Sequence, residues 1–201
     1  MNIFLQEGFL NGFYEILGPD LLREILGSAD YTICFNAGRV LTSELLPVSF
    51  YENLVFALKR ELDSKSLAGV ARSAGRMAFK TYKDVFPTLV ECGSIEKRLL
   101  PFVEKISTAL NAFIGILNEC GAGQIELSQD AQKQEWYLTG KISLPEGTIL
   151  QVGQQHFLMG VLESLLEWID SRHTFWVDQL ADRYHLDQGM LDLQIAIKQF
   201  E

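Results

Sequence analysis

Cysteine, histidine and proline are scarce in this chain. Its 201 residues include three Cys, three His and five Pro. Cys34, Cys92 and Cys120 lie far apart and make no C-x-x-C pair. That points to a reducing compartment with no disulfide framework, and it lacks the paired spacing of a zinc site. Basic residues are also in deficit, 17 Lys and Arg against 26 Asp and Glu, for a net charge of −9. A general binder of phosphate backbones is therefore not expected, because little counterion release is available to it; only a local patch could serve. No apolar run approaches the roughly 18–20 residues of a spanning helix. The opening MNIFLQEGFLNGFYE has no basic stretch before it and no small-residue cleavage site after it, so no targeting segment is expected. The expected setting is cytoplasmic, soluble or peripheral on a membrane. Membrane contact would rest on apolar anchors, since the negative charge opposes anionic lipid.

Nucleophile-elbow, kinase, P-loop and H-E-x-x-H motifs are all missing. No nicotinamide or flavin fingerprint supplies a hydride. The expectation is binding rather than catalysis, with no catalytic residues and no enzyme activity.

What is present is bulk. Hydrophobic residues make up 48% and aromatics 11%, with thirteen Phe, while charged residues stay at 21%. Such a chain can bury a large core and is not disordered.

The N-terminal third reads as helices. Phe4, Leu5, Phe9, Leu10, Phe13, Ile16 and Leu17 recur at helical spacing. Gly18-Pro19 stops that segment, and Pro19 suits the first turn of a second helix carrying Leu21, Leu22, Ile25 and Leu26. Residues 31–42 are ambiguous: Tyr31 to Phe35 is strand-like, but Asn36-Ala37-Gly38 breaks the run. Ser49 could cap a helix bearing Phe50, Leu54, Leu58 and Leu62. A longer helix follows from about Ser66 to Phe86, with Leu67, Ala71, Ala74, Ala78 and Tyr82 on its apolar stripe. Gly69 and Gly75 inside it disfavour helix by roughly 1 kcal/mol relative to Ala, which points to packing. Gly75, with Ala71, Ala74 and Ala78, makes a seam that lets another backbone come close. Leu99 to Cys120 is strongly amphipathic, and Gly121-Ala122-Gly123 reads as its C-cap rather than a phosphate turn.

The period then changes. From Glu135 to Leu144, Trp136, Leu138, Gly140, Ile142 and Leu144 alternate with polar partners, as in a half-buried strand. Gln124–Leu127 is its expected hairpin partner. Gln154 to Asp170 is helical again. Thr174 to Tyr184 is strand-like, and Leu191 to Ile197 alternates after a turn at Asp187-Gln188-Gly189. The predicted fold class is α+β: N-terminal helices, then long amphipathic helices packed on an antiparallel sheet of β-hairpins. Residues 1–46 read as a helical extension and 47–201 as the main domain, together one compact unit.

Three groups of side chains invite functional readings. His156 sits with Gly160, Glu163 and Glu167 on its helix. It is either a solvated or interface histidine, or a polar contact or axial ligand to a bound pigment. His173 and His185 flank a strand and read as turn residues. Asp178, Asp182 and Asp187 lie in or beside a strand, where a solvated role competes with general acid–base work. Trp168, Phe175 and Trp176 cluster at a helix-to-strand corner, as core packing or as the wall of a flat apolar site.

Three stretches, YEILGPDLLREILGSADY, SLAGVARSAGRMAFKTYKDVFP and LQVGQQHFLMGVLESLLEWI, together resemble the 4-vinyl reductase domain family. That family shares its fold with TRAPP small subunits. The resemblance implies an α/β plait with an internal apolar channel, often dimeric. It is closest to cyanobacterial accessory members linked to photosystem II assembly. It departs at the C-x-x-H signature, where Gly153 replaces the cysteine and only His156 matches. It departs again at DQGMLDLQIAI, which has none of the family's cysteines.

The resemblance implies a non-enzymatic assembly or delivery factor holding chlorophyll or a related tetrapyrrole, peripheral to the thylakoid and with no metal site of its own. Ligand-binding candidates are His156, Trp136, Gly140, Phe157, Trp168 and Trp176. Two alternatives stay open. One is a ligand-free protein–protein scaffold, with Phe4, Phe9, Phe13 and Gly75 at interfaces in a homo- or heterodimer. The other is a divinyl-precursor reductase component.

Overall fold

The computed structural model describes residues 3–26, 33–36, 39–42, 45–46, 48–121, 123–130, 132–143, 151–180, 183–185 and 190–200. The chain divides into two units, Met1–Thr81 with Leu144–Val161, and Tyr82–Ser143 with Leu162–Glu201. Residues 1–46 thus fall with 47–81 in the first unit.

The first unit is helical, with one small hairpin. Helix α1 covers Ile3–Leu26 and is broken at Gly18, whose φ of 78° and ψ of 165° leave the helical region. Gly18 tolerates that left-handed φ because it has no Cβ, and Pro19 restarts the helix where its missing N–H costs nothing. The ambiguous stretch resolves into strands β1 (Ile33–Asn36) and β2 (Arg39–Thr42), paired antiparallel. Helix α2 spans Val48–Glu61, and α3 spans Ser64–Val85. The N-terminus of α3 is capped by Asp63, whose Oδ1 accepts from the backbone N–H of Lys65 and Ser66 at 2.9 Å each. The start lies at Ser64, two residues before the predicted Ser66. Helix α7 (Gln151–Ile169) contributes its first half to this unit.

Glycine sets how these helices meet. A Cβ on Gly12 of α1 would lie 2.2 Å from the Ala74 carbonyl oxygen of α3. One on Gly75 of α3 would lie 2.0 Å from the Phe157 oxygen of α7, and one on Gly160 of α7 would lie 1.9 Å from the Arg72 oxygen. The seam read from the sequence therefore takes partners from the same chain. Gly69, by contrast, is exposed and would meet nothing within 4 Å, so it has no packing role.

The second unit carries the main sheet. Pro87 opens a short helix α4 (Pro87–Cys92), followed by α5 (Ile95–Arg98) and α6 (Phe102–Glu119). Neither α4 nor α5 is visible as periodicity, because six and four residues are too few to show a period. The stripe of α6 is buried as expected, including Ile106, Leu110, Phe113, Ile114 and Leu117. Strands β3 (Gly123–Asp130), β4 (Glu135–Ser143), β5 (Thr174–Gln179), β6 (Arg183–His185) and β7 (Met190–Phe200) form an antiparallel sheet. The order is β3-β4-β7-β5, with β6 also on β7. Register places Trp136 opposite Ile197 and Leu138 opposite Ile195, all four buried. Each such side chain contributes roughly 1.5–3 kcal/mol. The α+β class with an antiparallel sheet is as predicted. The predicted turns at Pro145-Glu146-Gly147 and Asp187-Gln188-Gly189 lie outside the described residues.

Each unit closes a strand edge with an asparagine. Asn11 Nδ2 donates to the Val40 carbonyl at 3.2 Å, and Val40 N–H donates to Asn11 Oδ1 at 2.7 Å. At the end of α6, Asn118 does the same for Ile125 of β3, at 2.9 Å both ways. A primary amide matches a peptide group in donor and acceptor, so it completes an edge strand as another strand would. Gln6, fully buried, accepts from Leu46 N–H at 2.7 Å.

Candidate functional site

In the first unit, the side chains most suited to a flat apolar ligand are on α1 and α7. Phe9 and Phe13 are one turn apart, with ring centroids 4.8 Å apart. Phe157 of α7 lies 5.0 Å from Phe9, and 6.1 Å from Phe13 with planes only 5° apart. Phe13 and Phe157 are buried, and Phe9 is the half-buried member. Close approach of the backbones at Gly75 and Gly160 fixes where Phe157 stands. The interface candidates Phe9, Phe13 and Gly75 thus have partners inside their own unit. The side chain of Phe4 lies outside the described residues. His156 is half-buried on α7. It is the residue before Phe157 and therefore about 100° round the helix from it.

The other ligand-binding candidates stand in the second unit. Trp136 is fully buried; its Nε1 donates to Ser107 Oγ at 2.9 Å, and Phe102 meets it edge-on at 6.0 Å. Ser107 in turn donates to Gln129 Oε1 at 3.2 Å. Gly140 leaves no room on the sheet, because a Cβ there would meet the Gln124 carbonyl oxygen at 2.1 Å. Trp168 packs its ring on Gly93, under Arg98, whose guanidinium is 5.6 Å from the ring centre. Trp176 is 55% exposed and lies 6.3 Å from Phe200. Phe175 stacks on Phe102 instead. Of the six candidates, His156 and Phe157 fall in one unit, and Trp136, Gly140, Trp168 and Trp176 in the other.

One constellation has no forerunner in the sequence reading. Lys105 Nζ of α6 donates to Asp170 Oδ2 at 2.5 Å, with both side chains buried. Asp170 ends α7, and its Oδ1 accepts from Arg172 N–H at 3.2 Å. His173 Nδ1 lies 3.2 Å from Asp170 Oδ2, and its ring is 4.5 Å from Phe102. Burial pushes the Asp170 carboxyl up. The Lys105 hydrogen bond, the Arg172 N–H, the Lys105 charge and His173 together outweigh it and hold the carboxyl below its ordinary value. A lysine falling beside Ile106 on an otherwise apolar stripe was the available signal, since a buried ammonium needs a buried anion.

Asp178 is exposed and accepts only from Gln179 N–H among the bonds seen, while Asp182 and Asp187 lie outside the described residues. His185 falls within β6 rather than at a turn. Burial pushes the thiols of Cys92 and Cys120 up, with Glu91 and Glu119 adding to it. Among the described residues no helix is long and apolar enough to cross a membrane, and no group of three or more His, Cys, Asp or Glu could hold a metal ion.

No family model and no curated protein matches the chain. Solved structures do. An oxygen-binding H-NOX domain related to soluble guanylate cyclases, in its oxygen complex, is 14% identical with a TM-score of 0.63, covering 100% of this chain and 96% of that one. A mutant H-NOX from T. Tengcongensis is 13% identical, TM-score 0.62, covering 98% and 96%. A structure on modulating heme redox potential through protein-induced porphyrin distortion is 14% identical, TM-score 0.61, covering 98% and 99%.

These likenesses overturn the 4-vinyl reductase and TRAPP-like resemblance. With it go the chlorophyll, photosystem II and thylakoid associations it implied. The stretches that carried it are leucine, alanine and glycine patterns that close helix crossings require in many folds. Over nearly its full length, this chain shares its fold with H-NOX domains.

Proposed function

We propose that this chain is a non-enzymatic ligand-binding domain of the sensor type, and that its ligand is a tetrapyrrole. The observation carrying the proposal is the end-to-end likeness in fold to H-NOX structures concerned with heme and its distortion by the protein. The aromatic cluster of Phe9, Phe13 and Phe157, with Phe9 half-buried and the other two buried, supports it with an interior of the right chemistry. Planar macrocycles gain about 25 cal/mol per Å² of apolar area buried, and offset or edge contacts with aromatic rings add to that.

Heme asks for more than apolar rings. Its iron takes an axial donor such as imidazole, thiolate, thioether or phenolate. In the first unit the single histidine is His156, placed around α7 from Phe157 rather than beside it. In the second unit the imidazole of His173 turns Nδ1 to Asp170 and packs on Phe102. Burial raises the thiols of Cys92 and Cys120 above the ordinary thiol value. Among the described side chains of α1 and α7, apolar rings are thus on hand for a macrocycle, and the nearest imidazole is that of His156, half-buried and about 100° round α7 from Phe157.

The test is titration of the purified full chain with protoporphyrin IX, followed by Soret absorbance. The expected result is saturable one-to-one binding with a shifted Soret band. A spectrum identical to free porphyrin at every ratio would remove the proposal.

A further inference from the structure

The sheet of the second unit has two unlike faces. Trp136, Leu138, Val177, Ile195 and Ile197 are buried on one. Their alternates Trp176, Asp178, Gln194, Lys198 and Phe200 are exposed, as on an antiparallel sheet with one solvated side. That open face carries an apolar row. Trp176 and Phe200 lie 6.3 Å apart and are 55% and 60% exposed. Leu180, 52% exposed, continues the row past β5, where its N–H donates to the Gln194 carbonyl at 2.9 Å. An aromatic side chain carries about 150–250 Å², so the two rings alone leave about 250 Å² in water. A standard interface takes about 800 Å² from each partner, and these rings supply roughly a third of it in residue types enriched at interface cores.

We infer that this face pairs with the same face of a second copy of the chain. The placing of charge selects that occupant. Register sets Trp176 opposite Lys198 and Asp178 opposite Ala196. The four form a quadrilateral about 5 Å across the strands and about 7 Å along them. Lys198 and Asp178 stand on one diagonal, Trp176 and Ala196 on the other. A two-fold axis lying over the face, close to the second diagonal, all but exchanges the ends of the first. Lys198 of each copy then comes over Asp178 of the other, and the two Trp176 rings meet. The strands of the two copies cross steeply, as in orthogonal sheet packing. Ala196 is fully buried and raises no bulk beside the indole. Lys198 lies 3.1 Å from Glu135, but 47% of its side chain is exposed, so it can turn outward; Glu135 keeps the Tyr137 hydroxyl when it does. A nucleic acid or an anionic lipid suits the same rings less well, because Glu126 and Asp178 share the face and the chain carries −9.

The experiment is sedimentation velocity of the full chain over about 5–500 µM, with circular dichroism as the folding check. The positions substituted are all exposed, so the fold should stay intact. Expected is a concentration-dependent monomer–dimer equilibrium. Trp176→Ala and Phe200→Ala should each raise its dissociation constant by at least about tenfold. Asp178→Lys should raise it similarly, and adding Lys198→Asp to Asp178→Lys should return it to within about threefold of wild type. A monomer at every concentration, or a dimer whose affinity is unchanged in Trp176→Ala and in Asp178→Lys, would overturn the inference.

Discussion

Replacing Lys105 by methionine should cost the second unit about 3 kcal/mol. The substitution keeps the length of the aliphatic stem and removes only the ammonium. Asp170, with 2% of its side chain exposed, then loses the partner at 2.5 Å. Removing one member of a buried ion pair costs about 3–5 kcal/mol, because the other charge stays desolvated. The lower end applies here, since the Arg172 N–H and His173 remain beside the carboxylate. Asp170→Asn should also destabilise. The double variant should cost less than the two singles added, with a coupling of about 2 kcal/mol. Urea unfolding followed by tryptophan fluorescence measures this in the right place, because Trp136, Trp168 and Trp176 all belong to the second unit.

The pH dependence gives an independent reading of the same pair. A carboxyl whose folded pKa is depressed adds stability that is fully present above its unfolded value, about 4. That stability is lost as pH falls through the folded value. The wild type should therefore weaken from about pH 4 downward, and Lys105→Met should flatten that descent. A loss under about 1 kcal/mol in Lys105→Met, or strict additivity in the double variant, would refute the reasoning.

Two further outcomes follow from the backbone contacts. Gly160→Ala should destabilise by about 1–3 kcal/mol, since its methyl meets the Arg72 carbonyl, whereas Gly69→Ala should stabilise by up to about 1 kcal/mol through helix propensity alone. Thermal melts by far-ultraviolet circular dichroism should shift in opposite directions. Asn118→Ala should cost about 1–3 kcal/mol and speed hydrogen exchange at the Ile125 amide, which loses its acceptor; Asn118→Asp keeps that acceptor and should protect the amide better.

The parts of the fold that could be read in advance are those whose cause is local. The α6 stripe from Ile106 to Leu117 and the alternation from Trp136 through Leu138 each repeat at the period of the element they make, and both are buried as that period requires. The break at Gly18-Pro19 is equally local, since both residues restrict or free their own backbone. Gly75 was legible as a seam but not in its partner, because the Phe157 carbonyl comes from a helix more than seventy residues away. Trp136 suggested a ligand wall through the family resemblance and the aromatic-rich composition, and only packing shows its indole bonded to Ser107 with Phe102 on its edge.

Local pattern was enough for the α+β class, the long helices and the hairpin of β3 and β4, because periodicity, capping and turn chemistry act between residues a few positions apart. Which residues meet was settled by the folded chain: Lys105 with Asp170, Asn11 with Val40, and Phe9 and Phe13 with Phe157. Those contacts arise from burial and backbone shape across distant segments. Many sequences satisfy the same local patterns, and the pairing that wins is the one that leaves the fewest buried polar groups alone and the least empty space.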